Sequence, residues 1–179
     1  MRKLLIIIAL MLGVALTGAL EITMDTAFDT RDLNSKDYAL LIQPGQPMLH
    51  YYKLNVLLPY GEEYSGASIS WGRDKEAAKG ISIDFAREQM PVSRSDMPGR
   101  TTTADAKVYG NDAFFPYRDF EYLGTQYYRG YAVAMFNLYP IRYNPVKKEV
   151  RAYESFTFDL QSVPDPELAE RQSRHLNLQ

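Results

Sequence analysis

Apolar side chains recur at every second position over several stretches of this chain, and that period predicts strands. Residues 54–58, LNVLL, form an apolar run that stops at Pro59 and Gly61. Ile69 and Trp71 alternate with serines, and Ile81, Ile83 and Phe85 alternate with Ser82 and Asp84. Residues 127–139 are rich in tyrosine, valine and phenylalanine. Further on, Val150, Ala152, Phe156, Phe158 and Leu160 take alternate positions, with Thr157 and Asp159 between the last three. A period of two turns one set of side chains to a core and the other to water. Gly45-Gln46-Pro47, Pro59-Tyr60-Gly61, Pro98-Gly99 and Asn144-Pro145 fall between these runs as turns. Short strands at such spacing predict an all-β fold, an antiparallel β-sandwich of jelly-roll type. No helical period of useful length lies between the strands. A short C-terminal helix is expected over residues 166–175: Asp165 caps it, Pro166 suits its first position and Glu167 its positive end.

The first residues read as a leader. Arg2 and Lys3 precede an apolar stretch over residues 4–14, and Thr17, Gly18 and Ala19 are small. That order is the pattern of a secretory signal peptide, and the stretch is short of the ~20 residues a bilayer span needs. Cleavage after Ala19 leaves no stable membrane anchor. The expected organisation is a signal peptide over 1–19, a sandwich domain over 20–163 and a linker with the helix over 164–179. The expected location is secreted: periplasmic or extracellular.

Composition narrows the chemistry. The 179 residues include no cysteine and two histidines, His50 and His175, far apart. Disulfides, thiolate metal sites, a cysteine nucleophile and paired-histidine metal motifs are thereby excluded, and no metal or cofactor is expected. The formal charge of −2 argues against a nucleic-acid partner. Asn111-Asp112 and Asp74 lack the spacing of a calcium loop, and His50 has no nucleophile-elbow serine to serve. Glu62, Glu63 and Glu121 read as solvated carboxylates.

One stretch resists the strand pattern. Residues 87–107, REQMPVSRSDMPGRTTTADAK, hold few large apolar side chains, two prolines and the basic residues Arg87, Arg94 and Arg100. A segment of this length inside a small domain is either a solvated insertion or an arm that meets a partner.

Residues 127–160, YYRGYAVAMFNLYPIRYNPVKKEVRAYESFTFDL, carry a resemblance. Tyr128-Arg129-Gly130, then Pro140-Ile141-Arg142-Tyr143-Asn144-Pro145, then Val150 and Tyr153 resemble the closing strands of the N-terminal propeptide domain of gingipain-like (family C25) cysteine peptidases. Upstream, Pro44-Gly45-Gln46-Pro47-Met48-Leu49 and Val56-Leu57-Leu58-Pro59 are similar to the same propeptides, with His50 standing where a proline is usual. Taken one by one, these residues read as structural: Asn144-Pro145 opens a hairpin connection, and Gly130 permits a bulge or a close backbone approach.

The resemblance implies a β-sandwich without catalysis of its own. Such a domain acts as an intramolecular chaperone and active-site inhibitor of a cysteine peptidase catalytic domain, in cis or in trans. For an arginine-specific peptidase, Arg94 or Arg100 would enter the specificity pocket, with Arg100 favoured by the turn at Pro98-Gly99. Arg171 and Arg174 would serve maturation cleavage, against a plainer reading as an exposed helix with a Glu170–Arg174 pair. The alternative function is a secreted carbohydrate-binding or adhesion sandwich, with Trp71 as an aromatic platform.

Overall fold

A computed structural model describes residues 19–24, 38–88 and 101–176. All but the last residue of the expected leader, and both Arg94 and Arg100, lie outside them. Ten strands and two helices follow in order: β1 Ala19–Met24, β2 Tyr38–Leu40, β3 His50–Leu57, β4 Glu62–Trp71, β5 Asp74–Lys79, α1 Ala106–Tyr109, β6 Phe120–Tyr128, β7 Tyr131–Leu138, β8 Ile141–Asn144, β9 Glu149–Tyr153, β10 Phe156–Pro164 and α2 Pro166–Leu176. The strands form three antiparallel sheets, ordered β1-β10-β4, β2-β3-β7-β6 and β5-β9-β8. The architecture is the all-β one that the alternation predicts.

The main core lies between the first two sheets, where the period of two is cleanest. In β7, Ala132, Ala134, Phe136 and Leu138 are buried, and the residues between them are not. In β10, Phe156, Phe158 and Leu160 repeat this, and β3 adds Leu54 and Val56. A smaller core of Leu41, Leu49, Val108, Phe115, Ile141 and Tyr143 lies apart from it. Burial of this apolar surface supplies the main driving force for folding.

The last alternating run divides. Residues 150–153 belong to β9 in the third sheet, and residues 156–160 belong to β10 in the first, with a break at Glu154-Ser155. Where the sheets meet, Asp119 gathers them. Its Oδ1 accepts from Trp71 Nε1 at 2.7 Å and from the Arg142 guanidinium. Tyr153 stacks on Trp71 with ring centroids 4.8 Å apart, and Arg142 sits 5.6 Å over the Tyr153 ring. Trp71 is therefore committed to packing and is no open sugar platform.

Asn144-Pro145 forms the expected hairpin connection, between β8 and β9. Asn144 is 1% exposed; its Nδ2 donates to Asp112 at 2.8 Å and its Oδ1 accepts from Lys147 N at 3.0 Å. The Asn144 amide, with Lys147 beside it, holds the Asp112 carboxyl below its ordinary range. Asn144→Ala removes both bonds from a buried turn, and a loss of about 1–3 kcal/mol is expected in urea unfolding.

Gly130 plays a different part from the one its setting suggested. With Arg129 (φ 50°) and Gly130 (φ 84°), it makes the two-residue turn joining β6 to β7, where Tyr128 faces Tyr131. Positive φ at both central positions is the turn whose twist matches a hairpin, and glycine adopts it without strain. The bulge lies instead at Leu123, between Tyr122 and Gly124.

Helix α2 starts as expected. Asp165 Oδ1 accepts from Glu167 N at 2.9 Å and Leu168 N at 3.1 Å, a side-chain cap on free amides. Leu168 and Gln172, one turn apart, are both buried. Gln172 Oε1 accepts from Gly61 N at 2.7 Å, and Tyr60 donates its hydroxyl to Ala169 O at 2.7 Å. The helix thus rests on the turn between β3 and β4 rather than trailing from the sandwich.

Candidate functional site

The described ends of the polar stretch meet at one place. Gly45 N donates to Ala86 O at 2.8 Å, Ala86 N donates to Gln46 O at 2.9 Å, and Asp105 N donates to Gly45 O at 2.8 Å. Chain from both sides of the polar segment therefore meets on Gly45. Glu88 N donates to Thr102 Oγ1 at 3.0 Å and closes the stem one step further out. Residues 89–100, with Arg94 and Arg100, lie outside the described residues, and Glu88 and Thr102 flank them here.

Local chemistry explains the stem. Gly45 has φ 82°, and a Cβ there would sit 2.9 Å from Thr103 O and 3.3 Å from Asp105 N. Side-chain residues avoid that φ, and the space is already taken. Asp105 Oδ1 accepts from Lys107 N at 2.9 Å and caps α1, which plants Val108 in the smaller core. Pro44, Gly45 and Pro47, singled out in the sequence, are the residues on which the stem is built.

The alternating stretch Ile81, Ile83 and Phe85 is no regular strand. Only Phe85 and Ala86 form bridges, to Pro47 and Pro44. Scattered bonds hold its backbone: Tyr143 donates to Ile81 O at 3.2 Å and accepts from Ile83 N at 3.3 Å, Tyr109 donates to Ile83 O at 2.9 Å, Ile81 N donates to Lys148 O at 3.3 Å and Met48 N donates to Asp84 O at 3.2 Å. Beside the stem lies an open cavity of about 380 Å³ with Leu41, Val108 and Phe115 on its floor and Gln43, Lys107 and Arg118 at its margin.

Two hydroxyls here resist ionisation. Tyr109 is pushed up to about 12 by burial, with Tyr143 and Asp84 adding to it. Tyr139 is pushed up to about 12 by burial and by its 2.9 Å bond to the Glu121 carboxylate. Unfolded tyrosine ionises near ~10, so between about pH 10 and 12 the unfolded chain releases protons that the folded one keeps. The stability contributed is full below pH 10 and is lost as pH rises through 12. Thermal unfolding of the native chain should show that decline, and Tyr109→Phe with Tyr139→Phe should flatten it.

The remaining predicted residues are separate from the stem. Tyr128 and Arg129 are exposed at the β6–β7 turn, whereas Pro140, Tyr143, Asn144 and Pro145 are buried and hold β8 in place. Arg171 and Arg174 lie on the exposed side of α2; Arg171 Nε donates to Glu167 O at 3.3 Å and Arg174 pairs with Glu170 at 2.5 Å. Among the described residues no group of three or more His, Asp or Glu could hold a metal ion. No helix among them is long and apolar enough to cross a membrane. Burial lowers the pKa of His50, which favours its neutral form. The asparagine–aspartate knot at the β8 turn and the Asp119 junction were not foreseen, because their partners are 32 residues apart in the first and 23 and 48 in the second.

The Propeptide_C25 family model matches residues 41–177, and the chain belongs to that family, the propeptides of gingipain-like C25 peptidases. It is the non-catalytic part of such a system. A gingipain K structure from Porphyromonas gingivalis, solved for insight into zymogenic latency, is similar with a TM-score of 0.51 and 17% identity, covering 72% of this chain and 71% of that one. A complex of the pro- and mature domains of RgpB from Porphyromonas gingivalis has a TM-score of 0.46 and 17% identity over 82% and 74%. At that identity the gingipain K likeness shows the fold. No curated protein matches the chain.

Proposed function

We propose that this chain is the latency domain of a C25 cysteine peptidase: exported by its leader, it assists folding of the catalytic domain and covers its active site until cut away. The partner is that catalytic domain, in cis or in trans. Family membership over residues 41–177 carries the reading. The pinned stem supports a mechanism. The stem holds the two ends of the segment together, so the entropy of closing it is already spent before docking. An arginine on that loop supplies a planar guanidinium that pairs bidentately with a pocket carboxylate. Arg94 and Arg100 are the residues assigned to it, Arg100 first.

The domain extends over residues 20–163, with signal cleavage after Ala19 and maturation at Arg171 or Arg174. Both arginines stand within α2, so a peptidase reaches them after the helix unwinds locally. Inhibition of a C25 peptidase by the purified chain tests the reading. Arg100→Ala, or failing that Arg94→Ala, is expected to weaken inhibition about 100-fold, as for a buried interface arginine. Full inhibition by the double variant would remove the loop from the mechanism, and a wild-type chain that inhibits no C25 peptidase would end the proposal.

A further inference from the structure

The turn between β3 and β4 grips helix α2 along its first turns. Gly61, with φ 70°, gives both of its main-chain groups to the helix. Its carbonyl accepts from Asp165 N at 2.7 Å, and its N–H, which is buried, donates to Gln172 Oε1 at 2.7 Å. Tyr60 adds its hydroxyl on Ala169 O at 2.7 Å. The approach leaves no room for a side chain, since a Cβ on Gly61 would sit 2.9 Å from the Ala169 Cβ. Leu168 and Gln172 are buried, whereas the Arg171 and Arg174 side chains are 63% and 72% exposed. Arg171 lies between the two buried residues, and Arg174 lies beyond both.

We propose that the Gly61–Gln172 contact is a latch on proteolysis: closed, it withholds both arginines, and its opening sets the rate of cleavage, after Arg174 first and after Arg171 later. A peptidase cleft takes its substrate as extended chain on both sides of the bond it cuts, so an exposed arginine on a docked helix is not yet a substrate. For Arg174 the stretch to be unwound includes Gln172, whose departure leaves the buried Gly61 N–H without its acceptor. For Arg171 it includes Leu168 as well, which must also leave the core. When opening is fast, cleavage tracks the population of the open form, so whatever loosens the latch speeds the cut in proportion. This inference deepens the latency reading, because it names what controls maturation at these arginines. The latch is tested without a C25 peptidase, so either reading can fail alone.

Trypsin acting on the purified chain is the test, with release of residues 175–179 followed by mass spectrometry at early times. Gly61→Ala drives a methyl group against α2 without altering the sequence that trypsin reads, and should speed release about 10-fold. Gln172→Leu removes the acceptor and should act in the same direction. Tyr60→Phe removes one bond and should give a smaller rise. Asn144→Ala weakens a turn bonded to Asp112 and Lys147, and should leave release nearly unchanged. Thermal unfolding checks that each variant is folded. Unchanged release from a folded Gly61→Ala or Gln172→Leu chain overturns the latch. Equal acceleration by Asn144→Ala also overturns it, for cleavage would then run through global unfolding. Residues 172–179 appearing as a peptide before residues 175–179 would overturn the order of the two cuts.

Discussion

Phe158→Ala lowers the unfolding free energy by about 4 kcal/mol, a large part of the ~5–15 kcal/mol that a domain commands. Phe158 is 0% exposed and lies in β10, the central strand of its sheet, between Ile22 and Ile69. Its ring meets Phe136 at 4.9 Å and Phe120 at 5.5 Å, both edge to face, so truncation breaks the contact between the two main sheets. Urea unfolding followed by tyrosine fluorescence checks this. Asp159→Asn serves as contrast: Asp159 faces Glu21 directly across the ladder, and removing one of two like charges is neutral or slightly stabilising. A loss at Phe158 no larger than at Asp159 would mean that the core lies elsewhere.

Gly45→Val acts on the stem. Any side chain there takes a left-handed φ at a cost of about 1–2 kcal/mol, and its Cβ strikes the backbone oxygen of Thr103. A total loss of about 3 kcal/mol is expected, with the sandwich core intact. If the stem positions the inhibitory loop, latency falls further than stability does. The check is the inhibition constant measured below the melting transition. Gln46→Ala is the control, because Gln46 joins the stem through its backbone carbonyl and leaves that bond in place. Unchanged inhibition by a folded Gly45→Val chain would separate the stem from the function.

Particular residues show how far the sequence was legible. The buried alternation of β7 and β10, the Asp165 cap and the Asn144 turn are local, and local spacing reveals local structure. The run of Ile81, Ile83 and Phe85 had the same period and formed no ladder; hydroxyls of Tyr109 and Tyr143 and main-chain groups of Met48 and Lys148, all remote in the chain, hold its backbone. Periodicity reports which side chains want burial and not what the amides will bond. β5, written DKEAAK, has no apolar face to notice, since an edge strand is held by backbone pairing with β9. Of the site, Pro44 to Pro47 was noticed through resemblance, but its role came from amides on Ala86 and Asp105, remote in the chain.

The stem's bonds run almost wholly between main-chain atoms, with the hydroxyl of Thr102 as the exception. Main-chain amides and carbonyls are common to every residue but proline, so most side chains of the stem can be exchanged without removing its bonds. Selection can therefore retune the side chains around the stem one codon at a time, while its main-chain bonds hold. In the laboratory the same arrangement makes the stem a natural place for a combinatorial library.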